Sequence, residues 1–323
     1  MPTSSAASRT SPASPGAPRD QQVGTADLKP APSPARVWWL AARPATLAAS
    51  VSPVLAGTAV AVHDHAVRPL PGLGALLVAM AMQIGVNYAN DYSDHVRGAD
   101  QRRRGPVRAA SSGVVPPEQV RRAAIAAFAT AAVLGLAVSL VTDWRLLLLG
   151  GLAIAAGWLY TGGPRPYGYI GLGELFVFVF FGLFAAAGTT YVHELRVPPA
   201  AWTAGVATGC LACAILALNN LRDIPTDAEA GKRTLAVRLG RGRTRLFIGA
   251  LFAVALAAPL IAGLAGWVPR PAALPVILVT MVLPLMRDTA SSEPSILVGA
   301  LKRAALIEVW WAVLWTAGLV APW

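Results

Sequence analysis

Apolar runs long enough to cross a lipid bilayer alternate with short charged stretches along most of this chain. A membrane-spanning helix needs about 20 predominantly apolar residues. Nine such runs follow the first 36 residues, and the third and fourth are separated only by the turn Thr142-Asp143-Trp144. They cover residues 37–62, 70–93, 120–141, 144–161, 171–190, 200–220, 244–264, 267–286 and 297–320. The pattern predicts an all-α, polytopic membrane protein with about nine transmembrane helices.

The N-terminal segment has a different composition. Residues 1–34 are rich in Ser, Ala and Pro, carry scattered charges and contain no apolar run. Such a segment cannot bury enough apolar surface to offset the entropy of ordering, and it lacks the apolar region of a secretory signal. We therefore expect a disordered tail over 1–34 and a transmembrane domain over 35–323.

Composition supports a membrane protein and excludes a nucleic-acid-binding one. Only 13% of the 323 residues are charged and 55% are hydrophobic, whereas soluble domains carry about 25% charged residues. The net charge of +11 is not gathered into a basic module interleaved with aromatic residues, so we expect no nucleic-acid partner. In a membrane protein such an excess marks cytoplasmic loops.

The distribution of Lys and Arg predicts the orientation in the membrane. The tail and the loops after the second, fourth, sixth and eighth apolar runs carry four, seven, one, seven and three of these residues, and the other loops together carry four. By the positive-inside rule, the N-terminus should face the cytoplasm and the C-terminus the outside of the cell membrane. The tryptophans Trp38 and Trp39 at the edge of the first run, and Trp310, Trp311, Trp315 and Trp323 near the last run, then suggest interfacial belts.

Two acidic clusters lie at the predicted cytoplasmic ends of the second and sixth apolar runs. The first contains Asn87, Asp91 and Asp94, and the second contains Asp223 and Asp227. Spacings of three and four residues place each set on one helix face. Carboxylates beside hydrocarbon are costly and usually functional. Since the clusters lie four runs apart, we infer a duplicated helical unit that brings them together around a cavity.

Oxygen ligands with cations nearby suit Mg²⁺ and a diphosphate. The basic residues Lys232, Arg233 and Arg97 are candidates to bind the diphosphate oxygens. Apolar helices would accept an isoprenoid tail and keep water from the allylic cation that forms when the diphosphate leaves. The alternative is a network of interfacial salt bridges between these carboxylates and the neighbouring arginines.

Four other residues are ambiguous. Arg43, within the first apolar run, either reaches the cytoplasmic edge or meets an anionic group in the cavity. Tyr160 and Arg165, in a Gly- and Pro-rich loop, either order a substrate or are an interfacial Tyr and a cytoplasmic Arg. Arg108 either binds substrate or is simply a cytoplasmic charge.

The pair Cys210 and Cys213 is interpreted as small apolar residues in helix packing, not as a redox or metal site.

These motifs resemble the UbiA superfamily of intramembrane prenyltransferases, whose two aspartate-rich motifs bind Mg²⁺ and isoprenyl diphosphate. Further stretches are similar to the class of that superfamily that acts on 1,4-dihydroxy-2-naphthoate. They are Ala42–Leu47, Asn90–Asp100, Gly105–Arg108 with Ser112-Gly113, Tyr160–Tyr169 with Gly171–Glu174, and Gly231–Gly240. The sequence departs from the simplest pattern of the superfamily at Gly98, where an Asp is usual, and has Asp100 two residues later.

The resemblance implies an enzyme that transfers a polyprenyl group from polyprenyl diphosphate to 1,4-dihydroxy-2-naphthoate, with loss of CO₂, to give demethylmenaquinone. Mg²⁺ would be the cofactor, held by Asn87, Asp91, Asp94, Asp223 and Asp227, and the bilayer would be the medium. The substrate contacts implied are Arg43, Arg97, Asp100, Arg108, Tyr160, Arg165, Asn220, Lys232 and Arg233.

Two alternatives remain open. The same chemistry could use another aromatic acceptor, such as 4-hydroxybenzoate or a porphyrin-type ring. A cation-coupled transporter could also use paired aspartates, although transporters usually carry broken helices near the membrane midplane, whereas these aspartates lie at helix ends.

Overall fold

The computed structural model describes Met1 and residues 33–98 and 108–321. Every regular element in this part of the chain is helical, and ten helices organise it. They are α1 (Pro34–Ala41), α2 (Pro44–His63), α3 (Pro69–Val96), α4 (Pro117–Val141), α5 (Leu146–Leu159), α6 (Gly173–Glu194), α7 (Pro199–Glu229), α8 (Leu235–Leu264), α9 (Arg270–Asp288) and α10 (Pro294–Val320). A 3₁₀ turn, Tyr167–Ile170, precedes α6. The predicted tail, apart from Met1 and its last two residues, lies outside the described residues.

The helices α2 to α10 correspond one by one to the nine predicted apolar runs. Among the described residues, α3, α4, α6, α7, α8 and α9 are long and apolar enough to cross a membrane, and Ser50–His63 and α5 are shorter apolar helices. The last helix, α10, has 27 residues and ends at Val320. The predicted all-α membrane bundle is therefore confirmed, with bounds that differ by several residues.

The first predicted run is not one helix. The structure ends α1 at Ala41 and begins α2 at Pro44, and Arg43 between them has a left-handed backbone with φ of 54°. Proline restricts the residue before it to non-α backbone and cannot donate a hydrogen bond to a preceding turn. The placement of Arg43 inside a continuous span is therefore wrong: it lies at a break between two helices.

The central helix of the bundle is α7, and it packs closely on α6. In its most apolar stretch 83% of the residues are buried. The contact is formed by glycines: a Cβ built on Gly182 would lie 2.3 Å from the Cα atom of Gly209 and 2.7 Å from the carbonyl oxygen of Gly205. Cys210 and Cys213 lie buried on the same helix as free thiols.

Two tryptophans of α10 are core residues. Trp311 and Trp315 are fully buried, and their indole N–H groups donate to the carbonyl oxygens of Ala255 and Ala56 at 3.0 and 3.2 Å. The prediction that they belong to an interfacial belt is wrong, because backbone carbonyls of α8 and α2 satisfy the indole N–H groups inside the bundle. Trp310, by contrast, is 46% exposed.

The glycine contact between α6 and α7 provides a test of the packing. We expect Gly182→Ala to lower the free energy of unfolding by about 1–3 kcal/mol, since the new methyl group would meet the backbone of α7. Gly188→Ala is the matched control on the same helix, because nothing lies within 4 Å of a Cβ built there. Thermal unfolding in detergent would measure both, and equal stability of the two variants would contradict this packing.

Candidate active site

A single cavity of about 940 Å³ brings the two acidic clusters together. Its lining includes Asp91 and Asp94 from α3 and Asp223 and Asp227 from α7. These residues lie near the ends of helices that are far apart in sequence, so the predicted convergence is observed. The lining is polar around the four aspartates and apolar over much of the rest.

Asp94 is the centre of the polar end. Its Oδ1 atom accepts from Nζ of Lys232 at 2.6 Å and from the hydroxyl of Tyr169 at 2.7 Å. Its Oδ2 atom lies 3.0 Å from a guanidinium nitrogen of Arg108. One buried carboxylate of α3 therefore joins three segments, which follow α3, α5 and α7.

Tyr169 strengthens this junction through its ring and backbone. Nζ of Lys232 lies 4.6 Å from the centre of the Tyr169 ring, a cation–π distance. The carbonyl oxygen of Tyr169 accepts from the N–H of Arg233 at 2.8 Å. The 3₁₀ turn and the segment after α7 are therefore fastened to each other as well as to Asp94.

Asp91, the other acidic residue of this cluster on α3, is oriented by a hydrogen bond from a backbone N–H group. The Oδ2 atom of Asp91 accepts from the N–H of Ala109 at 2.7 Å. This bond draws the segment before α4 over the end of α3 and orients the carboxylate beside the cavity.

The cluster on α7 carries its own cation. Arg222 donates to both carboxylate oxygens of Asp223 at 2.7 Å and to the side-chain oxygen of Asn219 at 2.8 Å. Asp227, one turn further along α7, also lines the cavity and is partly exposed. The amide of Asn220 donates to the carboxylate of Glu174 on α6 at 3.0 Å, and this hydrogen bond joins α6 to the part of α7 that carries the cluster.

Asn87 ties the helix break to α3. Its amide nitrogen donates to the carbonyl oxygen of Ala42 at 2.8 Å, and its side-chain oxygen accepts from Gln83 at 3.2 Å. The structure thus shows Asn87 holding the junction next to Arg43. Its role as a metal ligand stays a prediction.

The structure brings some of the predicted substrate contacts to the cavity and leaves others outside its lining. Those that line it are Arg43, Arg108, Tyr160, Asn220 and Lys232. Those that do not are Arg97, Arg165 and Arg233, all of them exposed. Arg97 instead donates to the carbonyl oxygen of Gly163 at 2.5 Å and lies 5.5 Å from the centre of the Tyr169 ring. Asp100 lies outside the described residues.

Sequence reasoning missed three residues of the lining. Tyr169 binds Asp94, Thr161 donates to the side-chain oxygen of Asn90 at 2.8 Å, and Lys302 reaches the cavity from α10. The first two belong to the Gly- and Pro-rich loop before α6. Tyr160 and Arg165 of this loop were already candidates from the sequence, so the loop itself was a usable signal. Lys302 had been counted only among the cytoplasmic charges.

The apolar part of the cavity extends away from the carboxylates. Phe176, Phe180 and Phe184 of α6 line it, and the ring of Phe176 stacks on Tyr167 with centroids 3.9 Å apart. The turn Phe178–Phe184 is π-helical, a feature frequent at functional sites. Along α3 the lining runs from Asp94 to Ala75, a rise of about 28 Å at the helical spacing. This depth and character suit a long hydrocarbon chain.

The carboxylates fit a metal that shares its ligands with a substrate. Four carboxylate side chains line one cavity, and oxygen is the ligand atom that Mg²⁺ prefers. In the described part of the chain, no three His, Cys, Asp or Glu side chains converge into a ready-made metal site. In proteins Mg²⁺ is usually held by one or two carboxylates together with substrate phosphates and water.

Comparison with known proteins identifies the family. The model of the UbiA prenyltransferase family matches residues 50–295. The chain belongs to the UbiA prenyltransferase family. It is 52% identical over 218 residues to the 1,4-dihydroxy-2-naphthoate octaprenyltransferase of Mycobacterium tuberculosis, covering 68% of this chain and 75% of that protein. It is 34% identical to the enzyme of the same name from Haemophilus influenzae, covering 88% and 96%.

Solved structures of UbiA homologues have the same fold. One from Archaeoglobus fulgidus, bound to DMAPP and Mg²⁺, is 16% identical, has a TM-score of 0.62 and covers 86% of this chain and 99% of its own. An apo structure from Aeropyrum pernix is 15% identical, has a TM-score of 0.63 and covers 84% and 96%. The helical bundle is therefore that of the UbiA prenyltransferases.

Tyr169 provides a test of the junction at Asp94. We expect Tyr169→Phe to lower the rate of prenyl transfer about tenfold, equivalent to about 1.4 kcal/mol in the barrier, because Asp94 loses a hydrogen bond while the ring under Lys232 remains. Tyr88→Phe removes a hydroxyl 3.4 Å from the carbonyl oxygen of Trp38, outside the cavity lining, and is the matched control. Steady-state rates of both purified variants would decide, and equal rates would argue against the role of Tyr169.

Proposed function

We propose that this protein transfers a polyprenyl group from polyprenyl diphosphate to 1,4-dihydroxy-2-naphthoate in an Mg²⁺-dependent reaction of menaquinone biosynthesis. The central observation is that two acidic clusters from different helices share one cavity with a deep apolar extension. The choice of acceptor is supported by the relatives from Mycobacterium tuberculosis, Mycobacterium leprae and Escherichia coli, which are 52%, 48% and 41% identical and carry the name of that octaprenyltransferase.

The polar end of the cavity binds the diphosphate of the donor. Asp91, Asp94, Asp223 and Asp227 would hold Mg²⁺, whose charge would stabilise the departing diphosphate. Lys232 and Arg108 lie at the same end, where both contact Asp94. Their charges favour phosphate oxygens that bind among the carboxylates.

The apolar part of the cavity binds the prenyl chain and excludes water. Departure of the diphosphate breaks the C–O bond of the donor and leaves an allylic cation that water would destroy. The ring carbon of the acceptor that carries the carboxylate attacks this cation and forms the new C–C bond. The C–CO₂ bond then breaks, its electron pair restores the aromatic ring, and CO₂ leaves. The product is demethylmenaquinone in its reduced form.

The geometry of the helices favours an enzyme over a cation-coupled transporter. The acidic residues lie near the end of α3 and in the last third of α7, and both helices are continuous through them. The structure shows one break at Arg43, before α2 begins, and another at Gly240, near the start of α8, where the backbone is not helical. Neither interrupts a helix near its middle. Transporter ion sites are typically built on helices interrupted near the midplane.

The proposed location of the reaction is the cytoplasmic side of the cell membrane. The stretches after the second and sixth apolar runs, which begin at the two acidic clusters, carry most of the Lys and Arg residues outside the tail. By the positive-inside rule, this end of the bundle and the N-terminus face the cytoplasm, and the C-terminus faces outward.

The acceptor can be tested directly with purified protein in lipid vesicles. We expect prenylation of 1,4-dihydroxy-2-naphthoate when Mg²⁺ and a polyprenyl diphosphate are present, with one CO₂ released for each product and no reaction in excess chelator. Mass spectrometry of the product and trapping of labelled CO₂ measure this. The same assay with 4-hydroxybenzoate serves as the comparison. Preference for that acid, with its carboxylate retained, would replace the proposed acceptor, and full activity in chelator would overturn the metal assignment.

The two clusters can be tested by removing one charge at a time. We expect Asp91→Asn, Asp94→Asn, Asp223→Asn and Asp227→Asn each to lower the rate at least about a thousandfold, or about 4 kcal/mol in the barrier. Asp288→Asn is the control, because Asp288 pairs with Arg303 away from the cavity lining. Rates would be compared only for variants that elute from size exclusion like the parent protein. Near-normal turnover in two of the four would contradict a shared metal site.

A further inference from the structure

Two hydrogen bonds between α2 and α10 fix how these neighbouring helices are aligned. Nδ1 of His63 lies 3.0 Å from the carbonyl oxygen of Leu319, and Nε1 of Trp315 donates to the carbonyl oxygen of Ala56 at 3.2 Å. The residue of α10 follows its partner on α2 by 256 positions in the first pair and by 259 in the second. The residue numbers increase in the same direction along both helices. The helices are therefore parallel, with nearly constant register.

The same register places two cations at one level of the cavity. When the same differences in residue number, 256 to 259, are applied at the start of α2, Arg43 lies level with residues 299–302 of α10. Arg43 and Lys302 both line the cavity, as do Pro44 and Leu301 beside them. Equal rise along the two parallel helices therefore places these two positive side chains at about the same level of the cavity.

Lys302 differs from the cations that contact the aspartates. Lys232 and Arg108 bind Asp94, and Arg222 binds both oxygens of Asp223. Lys302, in contrast, makes no hydrogen bond or ion pair within the described ranges 33–98 and 108–321. Its ammonium group is therefore available to an anion that enters the cavity beside α2 and α10.

We propose that Lys302 binds the carboxylate of the aromatic acceptor together with Arg43. This rests on the proposed function, which supplies an acceptor with one carboxylate and a donor with a diphosphate. A planar guanidinium matches two carboxylate oxygens, and an ammonium adds a compact charge beside it. Anchored there, the acceptor would lie beside α2 and α10, with its ring directed toward the centre of the cavity.

The test separates effects on the acceptor from effects on the donor. For Lys302→Ala we expect the KM for 1,4-dihydroxy-2-naphthoate to rise about tenfold while the KM for prenyl diphosphate stays within about twofold. Lys302→Arg keeps the charge and should recover most of the acceptor affinity. Arg243→Ala is the matched control. Arg243 is an exposed cation on α8 that, unlike Lys302 on α10, does not line the cavity.

A competitor without a carboxylate gives a second readout. The inhibition constant of 1,4-dihydroxynaphthalene should be the same in the parent protein and in Lys302→Ala, because this ligand has no group for the lysine to bind. An equal loss for both ligands would indicate altered cavity shape and would overturn the proposal. So would an unchanged acceptor KM, or a rise in the donor KM alone. If the parent protein does not prenylate the naphthoate at all, it is the proposed function that fails.

Discussion

The carboxylate of Asp94 is the interaction on which the arrangement of the site depends. Its side chain is only 4% exposed, and a buried charge costs several kcal/mol unless partners compensate for it. Lys232, Arg108 and Tyr169 supply that compensation from three different segments. Because each of these groups would itself lose a partner if the junction opened, the segments after α3, α5 and α7 hold one another at the polar end of the cavity.

The helices below this junction are positioned by very small residues. Gly182 lets α6 approach the backbone of α7 at Gly205 and Gly209, and α6 then supports Asn220 through Glu174. In a membrane, association of helices depends on close packing and on polar contacts between them, since apolar side chains gain little from leaving lipid. The glycine contact and the polar contact therefore act together to hold the second acidic cluster opposite the first. The phenylalanines of the π-helical turn line the wall that continues from it.

Much of this could be predicted from sequence, for reasons that are local. Spacings of three and four residues placed Asp91 with Asp94, and Asp223 with Asp227, on single helix faces, and long apolar runs revealed the spans. The break at Arg43 was missed because the flanking residues are apolar on both sides, although Pro44 was a signal. The burial of Trp311 and the partners of Lys232 depend on which helices are neighbours, and hydropathy does not encode that. Lys302 was overlooked for the same reason, because its place at the cavity follows from the register of α2 against α10.

The central claim is that the two clusters form one metal site that is completed by a diphosphate. Its most direct test is the binding of Mn²⁺, followed by electron paramagnetic resonance, with and without an unreactive prenyl thiodiphosphate. The account predicts weak binding by the protein alone, tight binding when the thiodiphosphate is added, and loss of that tightening in both Asp94→Asn and Asp223→Asn. If the thiodiphosphate does not tighten Mn²⁺ binding, or if only one of the two clusters affects it, the two clusters do not form a shared site.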